Sequence, residues 1–228
     1  MALTDNLVSY WKLDESSGNA SDSVGSNTLT NNNTVTYSAG KINNGATFVR
    51  ASSQWLSRAY TADLNIGGGD FTVAGWVRRD GTTSWDHVVG MGWDEATANL
   101  LYVISISNVS MVFEWHDGAY KNVARTHTMT ADTWFFFMAK RTGTTISLSV
   151  NDGTVATATG TLKTTTAGSF GIGRGGAGAS GYLNGKADEI GIWTRALSAS
   201  EITELYNAGV GLTYPFTTAN TANFLAFF

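Results

Sequence analysis

The feature that most constrains this chain is a series of short apolar or alternating runs, separated by Gly, Asn and Asp, from residue 7 to residue 193. "LVSYWKL" (7–13), "ATFVR" (46–50) and "QWLSR" (54–58) open it. "DFTVAGWVRR" (70–79), "LLYVISI" (100–106), "SMVFEWH" (110–116) and "TWFFFMAKR" (133–141) follow. "TISLSVNDGTVATAT" (145–159), "SFGIGR" (169–174) and "KADEIGIW" (186–193) close it. In the run 70–79 the two-residue period puts Phe71, Val73, Gly75 and Val77 on one face and Thr72, Ala74, Trp76 and Arg78 on the other. "VNDG" is a hairpin signal, because Asn and Asp-Gly tolerate the positive φ of tight turns. Many short strands at this spacing predict an all-β antiparallel sandwich or barrel.

Composition agrees and removes several function classes. Charged residues are only 14% of the chain, while hydrophobic residues are 43% and aromatics 12%, enough for a sizeable core. A net charge of −4 leaves no basic stripe for phosphates, so nucleic acid is not an expected partner. Without Cys there is neither a disulfide frame nor a thiolate metal site. No stretch approaches the roughly 20 apolar residues of a membrane-spanning helix. The opening "MALTDNLVSYWKLDE" lacks the basic and apolar regions of a signal peptide, so synthesis in a cytoplasm is expected.

One helix is predicted, "SASEITELYNAG" (198–209). Ser198 and Glu201 form a capping box, Gly209 suits the C-terminal cap, and Ile202, Leu205 and Tyr206 share one face. It is expected to seal an edge of the sandwich. The segment after it, residues 213–228, ends in "FLAFF" and reads as a tail outside a domain spanning 1–212. Such an apolar end is expected to dock on a neighbouring subunit, with an edge strand of the same domain as the alternative.

Several phrases, in order, resemble the laminin G-like, concanavalin A-like jelly-roll domains. These are "LVSYWKLDESSGNASDSVGSNTLT", "GKINNGATFVRASSQWLSR", "LNIGGGDFTVAGWVRR", "ADTWFFFMAKRTGTTISLSVNDG" and "GYLNGKADEIGIWTRALSASEITELYN". The resemblance covers residues 7–207. It implies a jelly-roll sandwich of two antiparallel sheets with six or seven strands each, one concave and one convex, with the first and last strands close together. Lectins, glucanases, adhesins and viral surface proteins share this architecture, so function has to be argued from a site.

The resemblance to laminarinase-type glucanases fails at the acids. Those enzymes alternate two Glu and an Asp on one strand, but after Glu189 this chain has Gly191, Trp193 and Thr194. Glu114 and His116 share a strand face, the remaining place for an acid and a base. No catalytic residue is assigned, and the protein is expected not to be an enzyme.

Related domains also hold a structural Ca²⁺ between the N-terminal loop and the last strand. The resemblance places Asp22, Asn27 and Asp188 as its ligands here, with Asp14 and Glu15 as substitutes. The competing reading has Asp22 capping its own turn, and Glu189 is expected to meet solvent. "GIGRGGAGASG" (171–181) satisfies G-x-G-x-x-G but has no helix after it, so it is read as a hairpin connection.

Sugars need aromatic faces and planar polar groups. Trp85, His87, Trp93, Trp115, His116, Asp117, Tyr120 and Arg174 lie in or beside predicted loops and form the candidate glycan set. Trp11, Trp55, Trp76, Trp134 and Trp193 fall in core-like blocks and are left out. The resulting expectation is a non-enzymatic surface protein of a bacteriophage virion: a decoration, fibre or adhesin contacting a host-surface glycan. It is expected to be oligomeric and held to its own copies or to other virion proteins by the tail. An extracellular or cellular carbohydrate-binding lectin is the alternative, with a glycoside hydrolase ranked last.

Overall fold

The computed structural model describes residues 1–81, 85–92, 101–164, 168–175 and 181–217. It is a two-sheet antiparallel jelly-roll sandwich, as expected. One sheet has eight strands. Across it run β13 (Ala156–Thr159), β12 (Thr145–Val150), β11 (Trp134–Thr142), β6 (Phe71–Arg79), β15 (Gly185–Trp193), β4 (Asn44–Phe48) and β3 (Thr36–Ala39), and β1 (Leu7–Trp11) also pairs with β15. The seven-stranded sheet runs β10 (Tyr120–Thr126), β9 (Ser110–His116), β8 (Tyr102–Ile106), β7 (Asp86–Met91), β14 (Ser169–Ile172), β5 (Trp55–Ala59) and β2 (Thr30–Asn32). The first and last strands are neighbours, with Trp11 opposite Ile190.

Alternation along the strands builds the core between the sheets. Phe71, Val73 and Val77 of β6 enter it, together with Met111, Phe113 and Trp115 of β9 and Ile146, Leu148 and Val150 of β12. The hairpin joining β12 and β13 has Asn151 and Asp152 at φ 54° and 53°, the positive values that its sequence predicts.

A second apolar cluster lies on the outward face of the eight-stranded sheet. It joins Tyr10, Ala74, Trp76, Phe136, Met138 and Trp193 to Leu3, Leu7, Leu197, Ile202 and Leu205. The single α-helix among the described residues, α1 (Ala199–Tyr206), supplies part of this cover. Its capping box forms as expected: the Ser198 hydroxyl accepts from Glu201 N, and the Glu201 carboxylate accepts from Ser198 N. Arg195 holds the same carboxylate through two contacts of 2.9 and 2.6 Å. The expected sealing of an edge is corrected here. The helix lies over a face, because Tyr206 stacks on Trp76 (centroids 5.8 Å apart) and Ile202 and Leu205 are buried. None of the described helices is long and apolar enough to cross a membrane.

The start of the expected tail also lies on this face. Tyr214 and Phe216 pack on the cluster, with the Phe216 ring 5.2 Å from Tyr10, and Tyr10 donates its hydroxyl to Leu212 O. Residues 218–228 lie outside the described set.

Candidate functional site

The outward face of the seven-stranded sheet is where the candidate glycan residues gather. In β9, Ser110, Val112 and Glu114 point away from the core because Met111, Phe113 and Trp115 point into it. The register sets Asn122 of β10 opposite Glu114, and Ala124 opposite Val112. Ser105 of β8 lies opposite Val112 on the other side. These residues floor a groove of about 680 Å³, within the range of small-ligand sites. Trp85, His87, Tyr120 and Gly181 complete its lining.

Trp85 and Tyr120 are about half exposed, at 51% and 52%, so their rings are open to a ligand. Glu114 is held from two sides: Ser105 Oγ donates to its Oε2 at 2.6 Å, and the Tyr120 hydroxyl donates to its Oε1. His87 is buried in the wall, where its ring leaves no room for a side chain at Gly181. A Cβ there would stand 2.4 Å from the imidazole, at a φ of +79° that already favours glycine. Burial first, and the charge of Arg174 second, push the His87 pKa down to about 4, so its imidazole is neutral at pH 7. Of the glycine-rich run, Gly181 lines the groove, while Gly171 and Gly173 pack closely on Trp55 and Phe48; residues 176–180 lie outside the described set.

Trp85, His87 and Tyr120 of the expected set line the groove. Trp115 is a correction: it is 1% exposed and belongs to the inter-sheet core, since it shares the parity of Met111 and Phe113. His116 ends β9, and its Nδ1 accepts from Gly118 N at 3.2 Å. Asp117 is exposed in the turn that follows. Neither is part of the lining. Arg174 is 8% exposed, its guanidinium 4.8 Å from the ring centroids of both Trp55 and Tyr182. Its place is therefore beside the groove, clamped between two rings. Trp55, set aside as core, is only partly buried and makes one side of that clamp. Trp93 lies outside the described residues. Ser105 and Asn122 are absent from the expected residues, and Glu114 stands among them only as a candidate acid, although the alternation of "SMVFEWH" already separates it from the core positions.

The residues expected around Ca²⁺ fall in two neighbourhoods, Asp22 with Asn27 in one and Asp188 in the other. Asp22 accepts from the backbone N–H groups of Tyr10, Val24 and Asn27, each at 3.0 Å, which matches the reading of a carboxylate capping its own loop. Asn27 donates to Ser9 Oγ and Asp63 Oδ2. Asp188 does not reach this loop; its Oδ2 accepts from Lys41 N and Ile42 N at 2.7 and 2.9 Å. No group of three or more His, Asp or Glu among the described residues is placed to hold a metal. With Asp188 tied to residues 41 and 42, and Asp22 and Asn27 tied to their own loop, the three are not assembled as one ligand set, so as arranged they do not fit Ca²⁺.

Glu189 is a second correction: it is 3% exposed, not solvated. A bulge in β15 shifts the register against β6 between Asp188 and Gly191, and Glu189 takes φ 53°. Ala187 and Ile190 both face the inter-sheet core, so the two acids between them face the covered side. Burial is the main cause that raises Asp188 to about 8 and Glu189 to about 7, with the Tyr10 and Thr213 hydroxyls pulling Glu189 the other way.

Comparison with known proteins agrees with this architecture. The model of the concanavalin A-like lectin/glucanases superfamily (Laminin_G_3) matches residues 53–203. A search of curated protein sequences finds no match. Among solved structures, the binding domain of Paraclostridial Mosquitocidal Protein 1 superposes with a TM-score of 0.73 at 17% identity, covering 91% of this chain and 53% of that one. The binding domain of botulinum neurotoxin DC in complex with SialylT gives a TM-score of 0.69 at 10% identity, covering 91% and 52%. The binding domain of botulinum neurotoxin serotype C1 gives 0.69 at 10%, covering 90% and 52%. The chain thus spans about half the length of these solved chains, and at such identities the likeness is one of fold.

Proposed function

The chain belongs to the concanavalin A-like lectin/glucanases superfamily, and on that premise we propose that it is a lectin-like domain that binds a glycan in the groove of its seven-stranded sheet. One observation carries this reading: two half-exposed aromatic rings, Trp85 and Tyr120, line a groove whose floor holds a fixed carboxylate, hydroxyls and an amide. Aromatic faces stack on the C–H patches of a sugar, while planar polar groups take its hydroxyls. A sugar complex of one structural neighbour, the botulinum neurotoxin DC binding domain with SialylT, supports the same class of ligand. The lining favours binding over hydrolysis, because Glu114 is the one carboxylate among the described lining residues and glycoside hydrolysis uses a pair.

A glycan array followed by calorimetry on the intact chain tests this. Binding to at least one oligosaccharide, weakened about tenfold or more in Trp85→Ala, is the expected result. Binding that ignores Trp85→Ala and Asn122→Ala would move the site elsewhere, and an empty array would remove the lectin reading.

A further inference from the structure

We infer, resting on the glycan reading above, that this groove selects neutral, hydroxyl-rich sugars and rejects acidic ones. The argument is about which groups in the groove give protons and which accept them. The Tyr120 hydroxyl and Ser105 Oγ each spend their single proton on Glu114. What they turn to a ligand is lone pairs, beside the remaining lone pairs of the carboxylate. The centre of the groove is therefore a patch of acceptors. Sugar hydroxyls can donate into it; a carboxylate or sulfate, which only accepts, cannot.

Charge points the same way. No Lys or Arg is among the described residues that line the groove. The residues outside the described set contain none either, so no basic group is left unplaced. His87 is neutral at pH 7, because burial and the neighbouring Arg174 disfavour its charged form. Arg174 is the cation whose charge reaches His87, and the rings of Trp55 and Tyr182 cover its guanidinium. An acidic sugar in this groove would meet the Glu114 carboxylate with no cation to offset it, a like-charge contact in a partly dehydrated site. The other side-chain donors of the lining, the Asn122 amide, the Trp85 indole, the Ser110 hydroxyl and the one N–H of the neutral His87 ring, are uncharged and can orient hydroxyls or ring oxygens. The chain would then differ from its structural neighbour bound to SialylT, despite the shared fold.

Calorimetry with matched probes tests this: lactose against 3′-sialyllactose, and maltohexaose and cellohexaose against hexagalacturonate. The expected result is measurable affinity for at least one neutral probe and at least tenfold weaker binding of its acidic counterpart. In Glu114→Gln the amide replaces one acceptor by a donor and removes the charge. Affinity for the neutral probe should fall about tenfold or more, and the gap to the acidic probe should narrow. Tyr120→Phe, which keeps the ring and the fold, should cost less and leave the order of probes unchanged. Acidic probes bound as well as or better than neutral ones, with loss in Trp85→Ala, would overturn the inference while keeping the groove as a glycan site. Acidic binding abolished by Arg174→Gln would do the same and identify the cation responsible. No binding of any probe would overturn the glycan reading itself, and this inference with it.

Discussion

On the eight-stranded sheet the outward side chains include Tyr10, Ala74, Trp76, Phe136, Met138 and Trp193; on the seven-stranded sheet they include Ser105, Ser110, Val112, Glu114, Asn122 and Ala124. Both sheets alternate with the same two-residue period, and both turn their other residues into one shared core. The difference lies in what the chain does after its last strand. Its described part crosses the apolar face with Leu197, the capped helix and the segment through Phe216, and none of the described residues after the last strand covers the polar face. A sandwich needs only one buried interior. The second apolar face exists because there is chain to cover it, and the open face is free to carry a ligand. Stability should therefore concentrate on one side and binding on the other.

The largest expected effect is on the covered side. Trp76 is 2% exposed and touches Phe136, Tyr206 and the ammonium of Lys41. Trp76→Ala should cost about 3–5 kcal/mol in urea unfolding, as for other large core truncations. A cost below about 1 kcal/mol would mean that the helix and its cover add little to the fold.

Acidity probes the same face. Glu189 and Asp188 are raised to about 7 and about 8, while unfolded carboxyls titrate near 4. Between about pH 4 and pH 8 the folded chain therefore holds more protons than the unfolded chain, and stability falls as pH rises through that window. Glu201 works in the opposite sense. Its hydrogen bonds to Arg195 hold it down to about 2, so its contribution is present above about pH 4.5 and is lost as pH falls toward 2. The two together predict a maximum near pH 4–5. From pH 5 to 8 the loss should be about 2–4 kcal/mol for Glu189 alone, and Glu189→Gln should remove that part and be more stable than the wild type at pH 8. Thermal unfolding at a series of pH values checks this; a flat profile would show that these acids are solvated when folded.

A smaller effect is expected from ending the chain after Thr213. Tyr214 and Phe216 are only partly buried against Tyr10 and Trp193, so their removal should cost about 1–2 kcal/mol. Sedimentation of the same variant reads the docking expected of the tail: a changed assembly state would support it, and an unchanged one would leave the segment a cover for its own domain.

How much of this could be read beforehand depends on how local the cause is. The turn at Asn151 and Asp152, the capping box of Ser198 and Glu201, and the two faces of β6 are set by residues a few positions apart, and all were legible. Trp115 was misplaced because a tryptophan beside a loop signals a rim, while its parity with Met111 and Phe113 decides the matter. Glu189 was misplaced because nothing in its residue type announces a bulge with positive φ; the register against β6 creates it. The groove is non-local in the same way. Glu114 meets Ser105 and Tyr120 only once three strands pair.

The smallest expected effect on stability belongs to the open face, and it is the sharpest test of the division between the two sides. Trp85 is 51% exposed and belongs to neither apolar cluster, whereas Trp76 is 2% exposed and lies at the centre of one. The residue type is the same, so chain chemistry cannot account for a difference between them; only the presence or absence of a cover can. Trp85→Ala should shift the unfolding free energy by no more than about 0.5 kcal/mol, the range of ordinary surface substitutions. The urea curves of Trp76→Ala and Trp85→Ala, measured side by side, should separate by several-fold in cost. If they coincide, the groove wall is part of the folding core, and loss of glycan binding in Trp85→Ala would report damage to the fold instead of loss of a contact.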